Sequence, residues 1–370
     1  APEEIQELHD YGVARIYSPQ DGMTMGLVGM IQDMVDQCRV AEVPERSFSE
    51  ARQDDYLTLS AMITAIERDE VGSAELAALT LGSDRSVPVL GITGTGGAGK
   101  SSLTDEIIRR FRVDSGESSR IAILAIDPTR RKTGGALLGD RIRMNSIYSP
   151  NVYMRSIATR HATGEVPPYL SDIIVATRKF DFDLIVVETP GIGQGDAGIV
   201  PYVDASMYVM TPEFGAQSQL EKIDMLDFAD LVVINKFDRK GAEDALRDVA
   251  KQVQRNREAF DKSPAEQPVY GTIASRFGDD GVSAAYHGLL SVLRAKGLRQ
   301  WQTTLAYADN RIPSERSVIV PAARARYLAE IAETVRGYHQ DTVDQVRIAR
   351  ERQQLQATTR MLGGSDERIE

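Results

Sequence analysis

The chain has 370 residues, 42% of them hydrophobic and 26% charged, and a formal net charge of -11. That length suits two domains or one large domain with appendages, and the acidic balance excludes a general nucleic-acid binder. No apolar run approaches the roughly 20 residues of a membrane helix, and the single cysteine, Cys38, excludes an internal disulfide framework or a cysteine-built metal cluster. No signal-peptide pattern is present, so neither membrane nor nucleic acid is expected as a partner, and the expected compartment is the cytoplasm.

In chain order, residues 1–40 read as helix (Pro2 to Tyr11), strand (Val13 to Tyr17), turn (Ser18 to Gly22) and helix (Met23 to Cys38). One such unit is too small to bury a core alone. The chain opens on this helical pattern at Ala1, not at Met, as expected either of a processed protein or of a piece of something longer. Residues 41–86 read as a helical linker: Tyr56, Leu59, Ile63 and Ile66 recur at spacings of three and four, as do Leu76 and Leu79. Residues 87–300 alternate apolar strands with helices. The strands expected are Val87 to Thr93, Arg120 to Ile126, Val152 to Arg155, Leu184 to Glu188, Ala205 to Thr211, Leu231 to Asn235 and Val269 to Ile273. The alternation predicts an α/β fold with a mostly parallel sheet covered on both faces. Residues 301–370 are helical and charged, notably Ala322 to Thr358, with a polar tail.

Gly94-Thr95-Gly96-Gly97-Ala98-Gly99-Lys100-Ser101 joins the first of these strands to a helix. A G-x-x-x-x-G-K-[ST] run in that context is a phosphate-binding P-loop. Its glycines turn successive N–H groups toward an anion, and the helix N-terminus adds partial positive charge. Lys100 would reach the outer phosphates, and the Ser101 hydroxyl would ligate Mg²⁺. The plainer reading is a Gly-rich turn before a helix.

Asn235-Lys236-Phe237-Asp238 follows the apolar strand Leu231 to Ile234. The Asp238 carboxylate can accept two hydrogen bonds from the ring N–H and exocyclic amine of guanine, which adenine cannot offer. Asn235 can hold neighbouring loops, and the Lys236 stem can cover the base. The plainer reading is a charged surface turn. Glu188-Thr189-Pro190-Gly191 ends another buried strand. It sets a carboxylate beside the P-loop for Mg²⁺ or its water, and Gly191 presents an N–H toward the γ-phosphate. Ile126-Asp127-Pro128-Thr129 and the loop Gly134 to Met144, which carries Asp140 and Arg143, supply two further acids and a phosphate-reaching arginine. On their own Asp127 and Asp140 would be helix caps or surface acids; beside a P-loop they suit a Mg²⁺ shell.

Together these motifs, from Val89 to about Leu290, resemble the MeaB/ArgK-type P-loop GTPases that serve adenosylcobalamin-dependent acyl-CoA mutases, with a G-domain of the branch that includes signal-recognition and metal-delivery proteins. The resemblance implies nucleotide contacts at Gly97, Ala98, Gly99, Lys100, Ser101, Ser102, Arg143, Asn235, Lys236, Phe237 and Asp238. It implies Mg²⁺ association at Ser101, Asp127, Asp140 and Glu188, with the carbonyls of Ile126 and Thr189 as contributors. The segment from Thr211 to Lys222 occupies the place of a third switch. Residues 1–40 resemble the end of a flavodoxin-like cobalamin-binding domain and 301–370 a linker toward a mutase domain, the order found in fused isobutyryl-CoA mutases.

The activity this implies is Mg²⁺-dependent hydrolysis of GTP to GDP and phosphate, gating adenosylcobalamin loading or protection in an acyl-CoA mutase, isobutyryl-CoA mutase foremost. Lys100 and Glu188 are its catalytic candidates, with Gln194 beside them by location. The partners implied are the cobalamin-binding and mutase domains, in the same polypeptide or separate, with room for a homodimer. Adenosylcobalamin would enter only through that parent enzyme: the D-x-H-x-x-G pattern is absent, and His9, His161, His287 and His339 do not fit it. Two other readings stand beside this one, a related P-loop ATPase and a nucleotide-bound interaction module with negligible hydrolysis.

Overall fold

Long apolar runs between helices leave a strand no polar face, so it must be covered on both sides. In the computed structural model, which describes residues 2–40, 55–72, 87–127, 144–159, 166–191, 197–299, 301–308, 310–314 and 327–361, each expected run of the central region is a strand. They are β1 (Val89–Gly94), β2 (Ile121–Asp127), β3 (Val152–Ala158), β4 (Leu184–Glu188), β5 (Ala205–Met210), β6 (Leu231–Asn235) and β7 (Val269–Thr272). They form one sheet in the order β3-β2-β4-β1-β5-β6-β7, with every neighbouring pair parallel. The chain leaves β1 toward β2 on one side, while β5, β6 and β7 extend the other. In such sheets ligands bind beyond the strand carboxyl ends at this kind of reversal.

The helices are α1 (Pro2–Asp10), α2 (Pro19–Val40), α3 (Tyr56–Glu67), α4 (Lys100–Asp114), α5 (Leu170–Arg178), α6 (Gln217–Leu220), α7 (Met225–Phe228), α8 (Ala242–Asn256), α9 (Asp280–Ala295) and α10 (Tyr327–Met361). Alternation along β2 sorts them into layers. Ile121, Ile123 and Ala125 face the layer holding Leu103 and Ile107 of α4 and Leu289 of α9. Ala122, Leu124 and Ile126 face the layer holding Leu59 of α3 and Ile173 of α5. A third cluster packs α7 and α8 on β5 and β6 through Met225, Val249 and Val253.

Helix α3, expected as part of a linker, is integral to this core. Leu59, Met62, Ile63 and Ile66 are buried, each contributing about 2 kcal/mol by area. Tyr56 stacks on Phe182 at 5.6 Å, and Arg155 reaches Glu67 at 3.0 Å. Leu76 and Leu79 of the same expected linker lie outside the described residues.

Two expectations for the N-terminal unit are corrected. Val13 to Tyr17 is not a strand: among the described residues no strand pairs with it, and a lone extended segment has no ladder to join. Arg15 and Tyr17 instead bind Asp33 of α2 at 3.1 and 2.7 Å. Ser18 to Gly22 is not a turn but the start of α2. The Ser18 N–H and hydroxyl donate to Asp21 while the Asp21 N–H donates to Ser18 Oγ, and Pro19 takes the first helical position. Gly26, at φ 66°, kinks the helix.

After α9 the chain is pinned to the end of α4. Asp114, 2% exposed, accepts from Tyr286 Oη (2.7 Å), Trp301 Nε1 (3.0 Å), Thr304 N (2.6 Å) and Leu305 N (3.0 Å). Further on, the Gly271 N–H of the edge strand β7 donates to the Arg311 carbonyl at 2.9 Å. Among the described residues no helix is long and apolar enough to cross a membrane.

Candidate nucleotide site

The loop from Gly94 to Gly99 lies at the carboxyl end of β1, and α4 begins at Lys100. Two of its glycines are required by close contacts. Gly94, at φ +147°, passes so close to β5 that an added Cβ would stand 1.8 Å from the Val209 carbonyl oxygen. Gly99, at φ +85°, would put a Cβ 2.6 Å from Asn235 Nδ2. Lys100 is buried, and its ammonium donates to the Gly94 and Thr95 carbonyls at 3.1 and 3.3 Å. Ala98 is buried, Gly97 and Ser102 are exposed, and Ser101 is half-buried.

The neighbouring strand ends bring their acids to the same place. Parallel register pairs Ala125 of β2 with Glu188 of β4, so Asp127, two residues on, shares a face of the sheet with Glu188. Both carboxylates are buried, as are Ile126 and Thr189. The Ser101 hydroxyl donates to Glu188 Oε1 at 2.6 Å. Thr189 ties the turn to β1, its N–H donating to Ile92 O at 3.0 Å and its hydroxyl to Thr93 Oγ1 at 2.9 Å. Gly191, at φ +68°, approaches so closely that a Cβ would meet Lys100 Nζ at 1.9 Å and Gly94 O at 2.6 Å.

These donors fit magnesium. A hydroxyl and one or two carboxylates are hard oxygen ligands, and this ion takes its remaining positions from water and phosphate. Among the described residues no group of three acids, histidines or cysteines forms a closed metal cage. Asp140, Arg143 and Gln194 lie outside the described residues.

The second loop is braced against the first. Asn235, 3% exposed, donates from Nδ2 to the Ala98 carbonyl at 2.8 Å. Its Oδ1 accepts from Thr272 Oγ1 at 3.1 Å and Ala274 N at 3.0 Å. Lys236, in left-handed backbone at φ 59°, donates to Gly97 O at 2.7 Å. Phe237 packs against Gly271, where a Cβ would come within 2.5 Å of the ring, and Asp238 is exposed. Thr272 and Ala274 were not among the sequence candidates; the signal is their position at the end of β7 and just after it, in register with Asn235.

The segment expected as a third switch also touches this loop. Glu213 pairs with Arg239, the residue after Asp238. The Thr211 hydroxyl, the Glu213 backbone N–H and Arg239 hold the Glu213 carboxyl down to about 2. Gly215 lies so close to α8 that a Cβ would meet Ala245 Cβ at 2.3 Å. Of the histidines, His9 and His287 each engage a backbone carbonyl, of Val13 and Ala306.

A family profile described as "Methylmalonyl Co-A mutase-associated GTPase MeaB" matches residues 59–366. Fused isobutyryl-CoA mutase of Cupriavidus metallidurans is 58% identical over 98% of this chain, and its counterpart in Nocardia farcinica 53% identical over 98%. The chain spans 34% of the length of each of these relatives. Among solved structures, a LAO/AO transport system kinase aligns with 87% of this chain and 93% of its own, at 18% identity and a TM-score of 0.46.

Proposed function

The chain belongs to the MeaB family of methylmalonyl-CoA mutase-associated GTPases, and on that premise we propose that it hydrolyses GTP to GDP and phosphate at the site around Lys100, Ser101 and Glu188. The observation that carries this reading is the Asn235 brace: one side chain joins the Ala98 carbonyl of the phosphate loop to Thr272 and Ala274 of the base side. A phosphate cradle and a guanine-selective carboxylate, Asp238, then belong to one rigid unit.

In this reading the N–H groups of Gly97 to Ser102 wrap the phosphates, and the α4 N-terminus adds its dipole. Lys100 leaves its two carbonyls for the outer phosphate oxygens and offsets charge that grows as the terminal phosphoryl departs. Glu188 and Ser101 would hold the cation, with Asp127 and the Ile126 and Thr189 carbonyls nearby and Asp140 as a further contributor, while Arg143 would contact the phosphates. Magnesium, when bound, supplies charge neutralisation on the phosphate oxygens. Gly191 presents its N–H to the terminal phosphate, and a water attacks in line. Phe237 and the Lys236 stem cover the base, and Asp238 accepts from its polar edge.

Hydrolysis would gate adenosylcobalamin loading or protection in an acyl-CoA mutase. The relatives that contain this region inside fused isobutyryl-CoA mutases support a mutase domain as partner and isobutyryl-CoA as substrate of the whole protein. We assign residues 1–40 to the end of a cobalamin-binding domain, 41–86 and 301–370 to helical linkers and 87–300 to the GTPase domain; the burial of α3 makes the first linker a partial member of the GTPase core.

Competition between GTP and ATP tests the site. Wild type is expected to prefer GTP and Asp238→Ala to lose that preference; an unchanged preference removes the guanine reading and favours the ATPase. A Lys100→Ala variant is expected to release no phosphate. Bound GTP that is never hydrolysed, even with mutase and cobalamin domains supplied, favours the interaction module.

A further inference from the structure

A cavity of about 430 Å³ opens at Asp238, and its walls come from two distant parts of the chain. Part of the lining is Phe237 to Arg239, Gly241 to Asp244 around the start of α8, and Ile273 and Arg276 after β7. The rest is Ile312 and Pro313, beyond α9, with Ser314 beside them.

This outer wall is held in place at successive points. Asp114 takes the N–H groups of Thr304 and Leu305. The Arg311 carbonyl accepts from Gly271 N at 2.9 Å, extending the edge of β7, and the Arg311 guanidinium donates to the Gln267 carbonyl. The Ser314 hydroxyl donates to Asp280 at the start of α9. Arg276 reaches the Ser314 carbonyl at 3.5 Å, from the cavity's own inner wall. Ile312 and Pro313 are apolar, and proline's fixed φ removes one backbone freedom. Such a surface gives an aromatic base a pre-ordered apolar cover, while Asp238 takes its polar edge.

We propose that Ile312 and Pro313 form the outer wall of the guanine-base pocket, so that the segment leaving the GTPase domain is itself part of the nucleotide site. This rests on the reading of Asp238 as the guanine acceptor. The consequence is reciprocal: if the segment contributes to base affinity, bound guanine nucleotide must stabilise the segment to the same degree.

The test uses the whole chain, with GDP and ADP as probes. GDP added to wild type is expected to slow amide hydrogen exchange at residues 301–308 and 310–314, and ADP to leave it unchanged. Calorimetric titration of the Ile312→Ala, Pro313→Gly double variant is expected to show GDP affinity lower by about tenfold, the scale for uncovering one apolar side chain. Its ADP affinity is expected to stay at the wild-type value. GDP affinity within about twofold of wild type (less than 0.5 kcal/mol), with no protection of the segment, overturns the proposal. Should that result come with Asp238→Ala still losing its guanine preference, the wall fails and the guanine site stands. Should Asp238→Ala keep the preference, the guanine reading fails and takes the wall with it.

Discussion

The Ser101 hydroxyl donates to Glu188 Oε1 at 2.6 Å, joining the first turn of α4 to the carboxyl end of β4. Both groups are oxygen ligands of the kind magnesium takes. The serine lone pairs and the second carboxylate oxygen are not used by this bond, so in the proposed site both side chains could hold the cation while it persists.

On the proposal that Ser101 holds the cation, Ser101→Ala removes that ligand without disturbing the core, since the residue is only half-buried. Turnover of GTP is expected to fall by about a hundredfold, the scale for losing one contact that matters in the transition state. The Mg²⁺ concentration for half-maximal rate is expected to rise in parallel. Phosphate release titrated against Mg²⁺ checks both, and a wild-type Mg²⁺ dependence in the variant refutes the assignment.

Asn235 is buried, and both polar atoms of its side chain are hydrogen-bonded. Truncation to Ala leaves the Ala98 carbonyl, the Thr272 hydroxyl and the Ala274 N–H short of a partner. An expected loss of about 1–3 kcal/mol follows from the desolvation of such groups. Urea unfolding measures it. Because the lost contacts hold the phosphate loop, affinity for GTP and for GDP is expected to drop together; a change in one alone contradicts the bracing role.

Gly191 tests how closely the β4 turn must approach the phosphate loop. An alanine there would adopt φ +68° with its Cβ 1.9 Å from Lys100 Nζ and 2.6 Å from Gly94 O. The ammonium can swing aside, but the backbone oxygen cannot. Gly191→Ala is expected to lower stability by about 1–3 kcal/mol and to suppress hydrolysis. Thermal melting and phosphate release at wild-type values would show that the turn moves freely.

Legibility from sequence divided along a physical line. The strands were readable because a strand buried on both faces is an apolar run, and Leu184 to Glu188 or Leu231 to Asn235 has no other use. Asn235 was legible as a brace because its motif sits at a strand end. Val13 to Tyr17 misled because β-propensity says nothing about whether a neighbouring strand exists. Ser18 to Gly22 misled because turn residues and helix caps are the same residues, distinguished here only by Ser18 and Asp21 bonding reciprocally. The burial of α3 was not legible, since an apolar stripe does not name the surface that covers it. Asp114 was invisible for a different reason: it looks like an exposed residue at a helix end, and its partners at Thr304 and Leu305 are backbone N–H groups that carry no side-chain signature.

Asp114 carries the last prediction. Burial alone would raise its carboxyl, but the Leu305 N–H, the Trp301 indole, the Tyr286 hydroxyl and the Thr304 N–H outweigh burial and hold it below its ordinary 3.8. A carboxyl depressed in the folded state contributes stability above its unfolded value, and that contribution is lost as pH falls through the folded value. The clasp is thus fully formed at neutral pH and weakens only below the ordinary carboxylate range. Asp114→Asn keeps the shape but turns an N–H₂ toward groups that are themselves donors. Its stability at neutral pH is expected to be lower by about 1–3 kcal/mol, the penalty for mismatched buried polar groups. Trp301, the chain's single tryptophan, reports the event directly, since its indole is one of the donors to Asp114. Urea titrations followed by its emission are expected to show the gap between wild type and variant closing as the pH drops below the ordinary carboxylate range. A gap of equal size at neutral and acid pH would mean that the Asp114 charge does not hold the segment, and that shape alone does.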